Sequence, residues 1–236
     1  MTVTSGTRRR TFSGRLAVCA SSIAAIVATN YVAVPALAAA ANPAMSSPRP
    51  TASSPGSQLA SPQNHRIVHH DAPGDVVLFS EESQATTPAP HERTTDIIDT
   101  VVDHRTRRVV VSTHVRQLSR SEHRFMVSEI LTSEGQRLEL TVDYSTTPIG
   151  RRVSLQKLAS GAEVSCGGAS WSITPSSDRI NATIPDSCLG DPEWVRLGIA
   201  LVSAPSDLDT SWADDSRSRG HVGDQHLELG PRQFQA

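Results

Sequence analysis

From residue 66 to about residue 230 the sequence predicts an all-β domain, a single antiparallel β-sandwich of about nine strands. Three observations carry that prediction. Apolar residues alternate over short runs: in Arg137 to Tyr144, the side chains Leu138, Leu140, Val142 and Tyr144 share one face and charged or polar residues take the other. Turn chemistry separates neighbouring runs, as in Ser133-Glu134-Gly135, Asp103-His104-Arg105-Thr106 and Ser176-Ser177. No stretch of this region keeps apolar residues at helical spacing for three turns, and the one helical turn expected is Asp186 to Leu189.

The elements follow in order. Strands are expected at 75–80, 96–103, 107–116, 123–132, 137–144, 151–158, 170–174, 178–184 and 195–202. Nine antiparallel strands over about 160 residues require two packed sheets, because one open sheet would leave an apolar face in water. A domain of this size buries about two thirds of its unfolded-chain surface, enough for a stable core without a metal.

Ahead of the domain the composition changes twice. Residues 1–38 have the order of a secretory signal peptide: Arg8, Arg9, Arg10 and Arg15, then a largely apolar run to Val34, then small residues at Ala36 and Ala38. Cleavage after Ala38 would start the mature chain at Ala39. Retention of the apolar run as a membrane anchor is the competing reading. Arg9-Arg10 followed by Phe12 also fits a twin-arginine signal. Residues 39–65 are rich in Ala, Ser and Pro and read as a disordered linker, since they carry too little apolar surface to offset the entropy of ordering. The chain is therefore expected to be secreted or attached to a bacterial cell surface, with no membrane span after processing. Of its 22 basic residues only Lys157 is lysine, a bias that follows GC-rich coding.

Charge excludes one class of partner. No acid precedes Asp71, and from there 24 acidic face 16 basic side chains, the wrong sign for a nucleic-acid-binding domain. An aromatic content of 4% also argues against a stacking platform for single strands. Two cysteines follow the signal region, Cys166 and Cys188, and an isolated pair in an oxidising compartment is read as one disulfide, worth roughly 3 kcal/mol by loop entropy.

The residues that carry chemistry elsewhere are sparse. His65, His69 and His70 before Asp71, and His221 with His226, are expected on flanking loops as solvated side chains, because zinc needs three or four convergent donors on rigid elements. Asp207, Asp209, Asp214 and Asp215 surround Trp212 in what reads as an acidic loop, so the four carboxylates are expected to be exposed or to hold Ca2+, with Trp212 an exposed platform for a ligand such as a glycan. Trp171 reads as core and Trp194 as core or a lid. Gly168-Ala169-Ser170-Trp171-Ser172 lacks the second glycine of a nucleophile elbow, and no His-Glu-x-x-His is present. The leading expectation is a non-catalytic module that binds an extracellular or cell-surface ligand. The alternatives are a secreted hydrolase with an acidic site and a structural envelope protein.

Several runs carry a resemblance: Gly74-Asp75-Val76-Val77, Asp96-Ile97, Val102-Asp103-His104, Val164-Ser165-Cys166, Ile184 through Gly190, Trp194 through Gly198, and Trp212-Ala213-Asp214-Asp215. Together they resemble uncharacterised exported proteins of actinobacterial type, across most of residues 71–225. The resemblance implies a secreted single-domain β-sandwich and carries over no catalytic residue. A more remote likeness, resting on strand order and the Asp-Ile strand start, is to DOMON-type and family 9 carbohydrate-binding sandwiches, and it is an analogy of fold. Met126 is the only methionine in the domain, so the haem ligands of DOMON members are not expected.

Overall fold

The computed structural model describes residues 65–80, 83, 85–119, 123–146, 152–204, 210–220 and 226–236; the signal peptide and nearly all of the linker inferred above lie outside them. The strands are β1 (Arg66–His70), β2 (Val77–Ser80), β3 (Thr86–Pro88), β4 (Ile97–Arg105), β5 (Arg108–Val115), β6 (Arg124–Thr132), β7 (Arg137–Asp143), β8 (Val153–Lys157), β9 (Ser170–Thr174), β10 (Arg179–Pro185), β11 (Trp194–Ser203), β12 (Thr210–Asp215) and β13 (Gln233–Phe234). Single 3-10 turns at Pro175–Ser177 and Asp186–Cys188 are the helical elements among the described residues. All nine expected strands are present. Four more, β1, β3, β12 and β13, were not expected, because three of them are short and β12 lacks apolar alternation.

Two antiparallel sheets face each other. Sheet A has the order β1-β4-β5-β10-β9, and sheet B the order β3-β2-β12-β11-β6-β7-β8. Strand β13 pairs with Trp194 and Val195 of β11, continuing the row that β12 begins. The apolar alternation builds the core directly. Val109, Val111 and Val115 of β5 with Ile180 and Ile184 of β10 face Met126 and Ile130 of β6, Leu138 and Leu140 of β7, and Leu197 to Leu201 of β11. Each such side chain contributes roughly 1.5–3 kcal/mol by leaving water. Tyr144 is buried among them, and burial pushes its phenol up to about 12.

The outer side of sheet B is covered by the C-terminal segment. Glu129 of β6 receives the Leu227 amide at 3.1 Å and pairs with His226 Nδ1 at 3.2 Å and with Arg137. A Cβ at Gly198 of β11 would stand 2.6 Å from Leu227 Cβ and 2.9 Å from the Glu228 carbonyl, so only glycine permits this approach. Arg196 donates to the carbonyls of Gly230 and Leu229, and the Arg232 guanidinium lies 4.4 Å over the Trp194 ring. Trp194 is thus on the outer side under a lid, and pairing with β11 reaches Phe234.

Candidate functional site

The chain passes between the sheets at several connections, and two groups of these are fastened by polar or covalent chemistry. The first lies where the β1–β2 connection meets the β3–β4 connection beside β12. Asp71 and Asp75 flank the β1–β2 connection, Asp96 immediately precedes β4, and Asp214 and Asp215 end β12. Gly74, between the first two, has φ +83° and donates its amide to Asp96 Oδ2 at 3.0 Å, a conformation that glycine adopts without strain. Asp214 pairs across the ladder with Leu201 of the core, so its side chain points inward, where Oδ2 accepts the Ile97 amide at 2.7 Å. That bond ties sheet B to the start of β4 in sheet A, next to a register irregularity between Ile97 and Asp99.

One ligand oxygen each of Asp71, Asp75 and Asp214 lies within 4.8 Å of the others. Few donors reach these groups. The Ala72 amide takes Asp71 Oδ1 at 2.8 Å, Arg116 reaches Asp96 Oδ2 at 2.8 Å, and the Arg217 amide takes Asp215 Oδ1 at 3.1 Å. Asp71 Oδ2, Asp96 Oδ1 and Asp214 Oδ1 are shut from solvent with no hydrogen-bond partner among the described residues.

The electrostatics follow from that burial. Desolvation, opposed by the Ala72 amide and reinforced by the charges of Asp75, Asp215 and Asp96, raises Asp71 to about 7. Desolvation, opposed by the Ile97 amide and reinforced by Asp71, Asp75 and Asp96, raises Asp214 to about 8. Asp75, Asp96 and Asp215 are raised as well, each chiefly by desolvation. Gathering like charges in a dry site disfavours the ionised form of each.

The expected site is partly redrawn by this arrangement. Residues 210–215 are a strand, not a loop. Asp214 and Asp215 are buried, because their strand lies between β2 and β11 and its inward side meets sheet A; exposure, one of the two states expected for them, does not hold. Asp207 and Asp209 lie outside the described residues. Trp212 shares the inward side of sheet B with Asp214 and pairs with Ser203 and Leu78, yet it is half-buried instead of exposed and stands outside the hydrophobic core cluster. Sequence reasoning missed Asp71, Asp75 and Asp96 as members of one group, since nothing local marks residues that meet only across the sandwich.

Among the described residues the histidines are not brought together. His69 and His70 belong to β1, not to a flanking loop, and alternate between faces: His69 pairs with Thr100 on the inner side and His70 with Asp99 on the outer. Burial lowers His69. His226 pairs with Glu129, and His221 lies outside the described residues. His104, fully buried, places Nε2 3.3 Å from Asp186 Oδ2 and Nδ1 3.1 Å from the Gln233 carbonyl. That pair anchors the C-terminal segment to sheet A and is sealed from any substrate.

The second fastened place is covalent. Cys166, in the β8–β9 connection, is bonded to Cys188, at the start of the β10–β11 connection, as expected. Trp171 packs against the core nearby with Arg152 5.6 Å over its ring. Among the described residues no helix is long and apolar enough to cross a membrane. No family model matches this chain, and neither the curated proteins nor the solved structures contain a match.

Proposed function

We propose that this chain is an exported, non-catalytic β-sandwich module that binds an extracellular or cell-surface ligand along the edge formed by β2 and β12. The observation that carries the reading is Trp212. A large indole on the inward side of a sheet is ordinarily core, and here it is only partly buried, outside the core cluster, beside Leu78 and close to a strongly acidic group. An indole at such an edge stacks on the apolar face of a sugar ring or on a peptide, and its ring N–H supplies a donor. The signal-like N-terminus and the Ala, Ser and Pro-rich linker support a module displayed outside the cell on a tether. The test is retention of the purified chain on isolated cell wall and on a panel of glycans. Trp212→Ala should abolish retention with the melting temperature nearly unchanged; a large fall in melting temperature with retention intact would make Trp212 a packing residue and end the proposal.

A further inference from the structure

We infer that the chain binds one Ca2+ ion between its two sheets, held by Asp71, Asp75 and Asp214 with Asp96 beside them, and that the ion acts as a structural brace. The inference is independent of the ligand reading above and concerns a different group of atoms.

The trio alone would be only an acidic cluster. Two buried oxygens make it a site. Asp214, a member of the trio, is 1% exposed, is directed inward, and has Oδ2 committed to the Ile97 amide, which leaves a buried Oδ1 with no partner among the described residues. Asp96 is 0% exposed and stands outside the trio; its Oδ2 is committed to Gly74 and Arg116, and its Oδ1 has no partner. Its charge adds to the repulsion at Asp71 and Asp214. A buried acceptor without a donor costs about 1–3 kcal/mol, more when it is charged, and a bound cation relieves that cost at several such oxygens together.

The donor set selects the ion. Among the described residues the converging ligands are all carboxylate oxygens, with neither His nor Cys among them, which favours a hard cation over zinc. Oxygens within 4.8 Å of one another can share a single centre at Ca–O distances of about 2.3–2.6 Å. Mg2+ is smaller and gives up its waters reluctantly, so a site whose free oxygens are shut from solvent suits Ca2+ better. The same closure determines the role. With the free oxygens out of contact with solvent, the ion has no open position for an external ligand.

Its position defines what it braces. Asp71 follows β1 and Asp96 precedes β4, both strands of sheet A; Asp75 precedes β2 and Asp214 lies in β12, both of sheet B. One ion would therefore connect the two sheets at the edge opposite the disulfide-bearing connections, and would fix the segment through which the N-terminal linker enters the domain.

The test uses the full-length chain with its disulfide intact, stripped with EDTA and melted with and without added CaCl2. At Ca2+ about 100-fold above its dissociation constant the melting temperature should rise by roughly 5–10 °C. Asp214→Asn, which keeps the side-chain volume and removes one of the repelling charges, should fold at least as stably as the wild type in EDTA and lose the Ca2+ response; Asp75→Asn should lose it too. Trp212→Ala should keep it, which separates this inference from the ligand reading. Identical melting in EDTA and Ca2+, or a Ca2+ response that survives in both aspartate variants, would overturn the site. An equal response to MgCl2 would overturn the assignment to Ca2+.

Discussion

Two places where the chain passes between its sheets meet the same mechanical problem by different means. Cys166 and Cys188 join the β8–β9 and β10–β11 connections through a covalent bond. The β1–β2 and β3–β4 connections are joined to β12 by aspartates, one arginine and a few backbone amides. The covalent fastening acts whatever the pH or ion content, since it works largely by restricting the unfolded chain. The acidic one depends on the medium, because close carboxylates repel unless a proton or a cation lies between them. The difference teaches that one edge of this sandwich is fastened covalently and the opposite edge by carboxyl groups whose balance depends on protonation and cations.

The largest effect should come from the covalent side. Cys188→Ala should cost about 2–5 kcal/mol in urea-measured stability, with the same loss in Cys166→Ala, and a double variant no worse than either single one. A loss near zero would show that the contacts around Trp171 hold those connections unaided.

The acidic side should respond next, through pH. Asp71 and Asp214 have folded-state values of about 7 and about 8, above the ordinary 3.8 of an unfolded aspartate. Raised carboxyl groups bind more protons folded than unfolded, so stability in EDTA is greatest below the unfolded value and falls as pH rises through the folded ones. Melting in EDTA should therefore drop on the order of 5 °C between pH 5 and pH 8. Asp214→Asn should reduce that slope, and a slope of the opposite sign would show that the carboxylates are stabilised as ions by the bare protein.

Arg116 provides the cationic share of this fastening, with its guanidinium 2.8 Å from the buried Asp96. Arg116→Leu should cost about 1–3 kcal/mol at pH 8 and less at a second, acidic pH, because burial raises Asp96 and a neutral carboxyl no longer needs the charge. Chemical denaturation at the two pH values measures the contrast. The smallest effect belongs to Gly74, whose φ of +83° an alanine adopts only with strain: Gly74→Ala should cost about 1 kcal/mol, while Gly135→Ala, at φ +78° on an open turn far from the acidic group, gives the strain-only reference. Equal losses would mean that left-handed backbone strain accounts for the whole cost at Gly74.

The amino-acid sequence by itself determined the layers and most of the strands. A run such as Arg137 to Asp143 has one side that must leave water and one that need not, and that local asymmetry fixes strand, face and sandwich together. The disulfide was legible for a similar reason, as only two cysteines follow the signal-like segment. Tertiary structure decided the rest. Thr210 to Asp215 has no alternation to read, and it is a strand because β2 and β11 offer it free backbone edges on both sides. The same pairing turns Asp214 inward, 117 residues from the amide it accepts. Asp71, Asp75 and Asp96 look like ordinary turn residues in sequence, where any aspartate can cap a nearby amide. Their convergence is a property of the connections between sheets, and repulsion among charges brought together from distant parts of the chain exists only once the sandwich has closed.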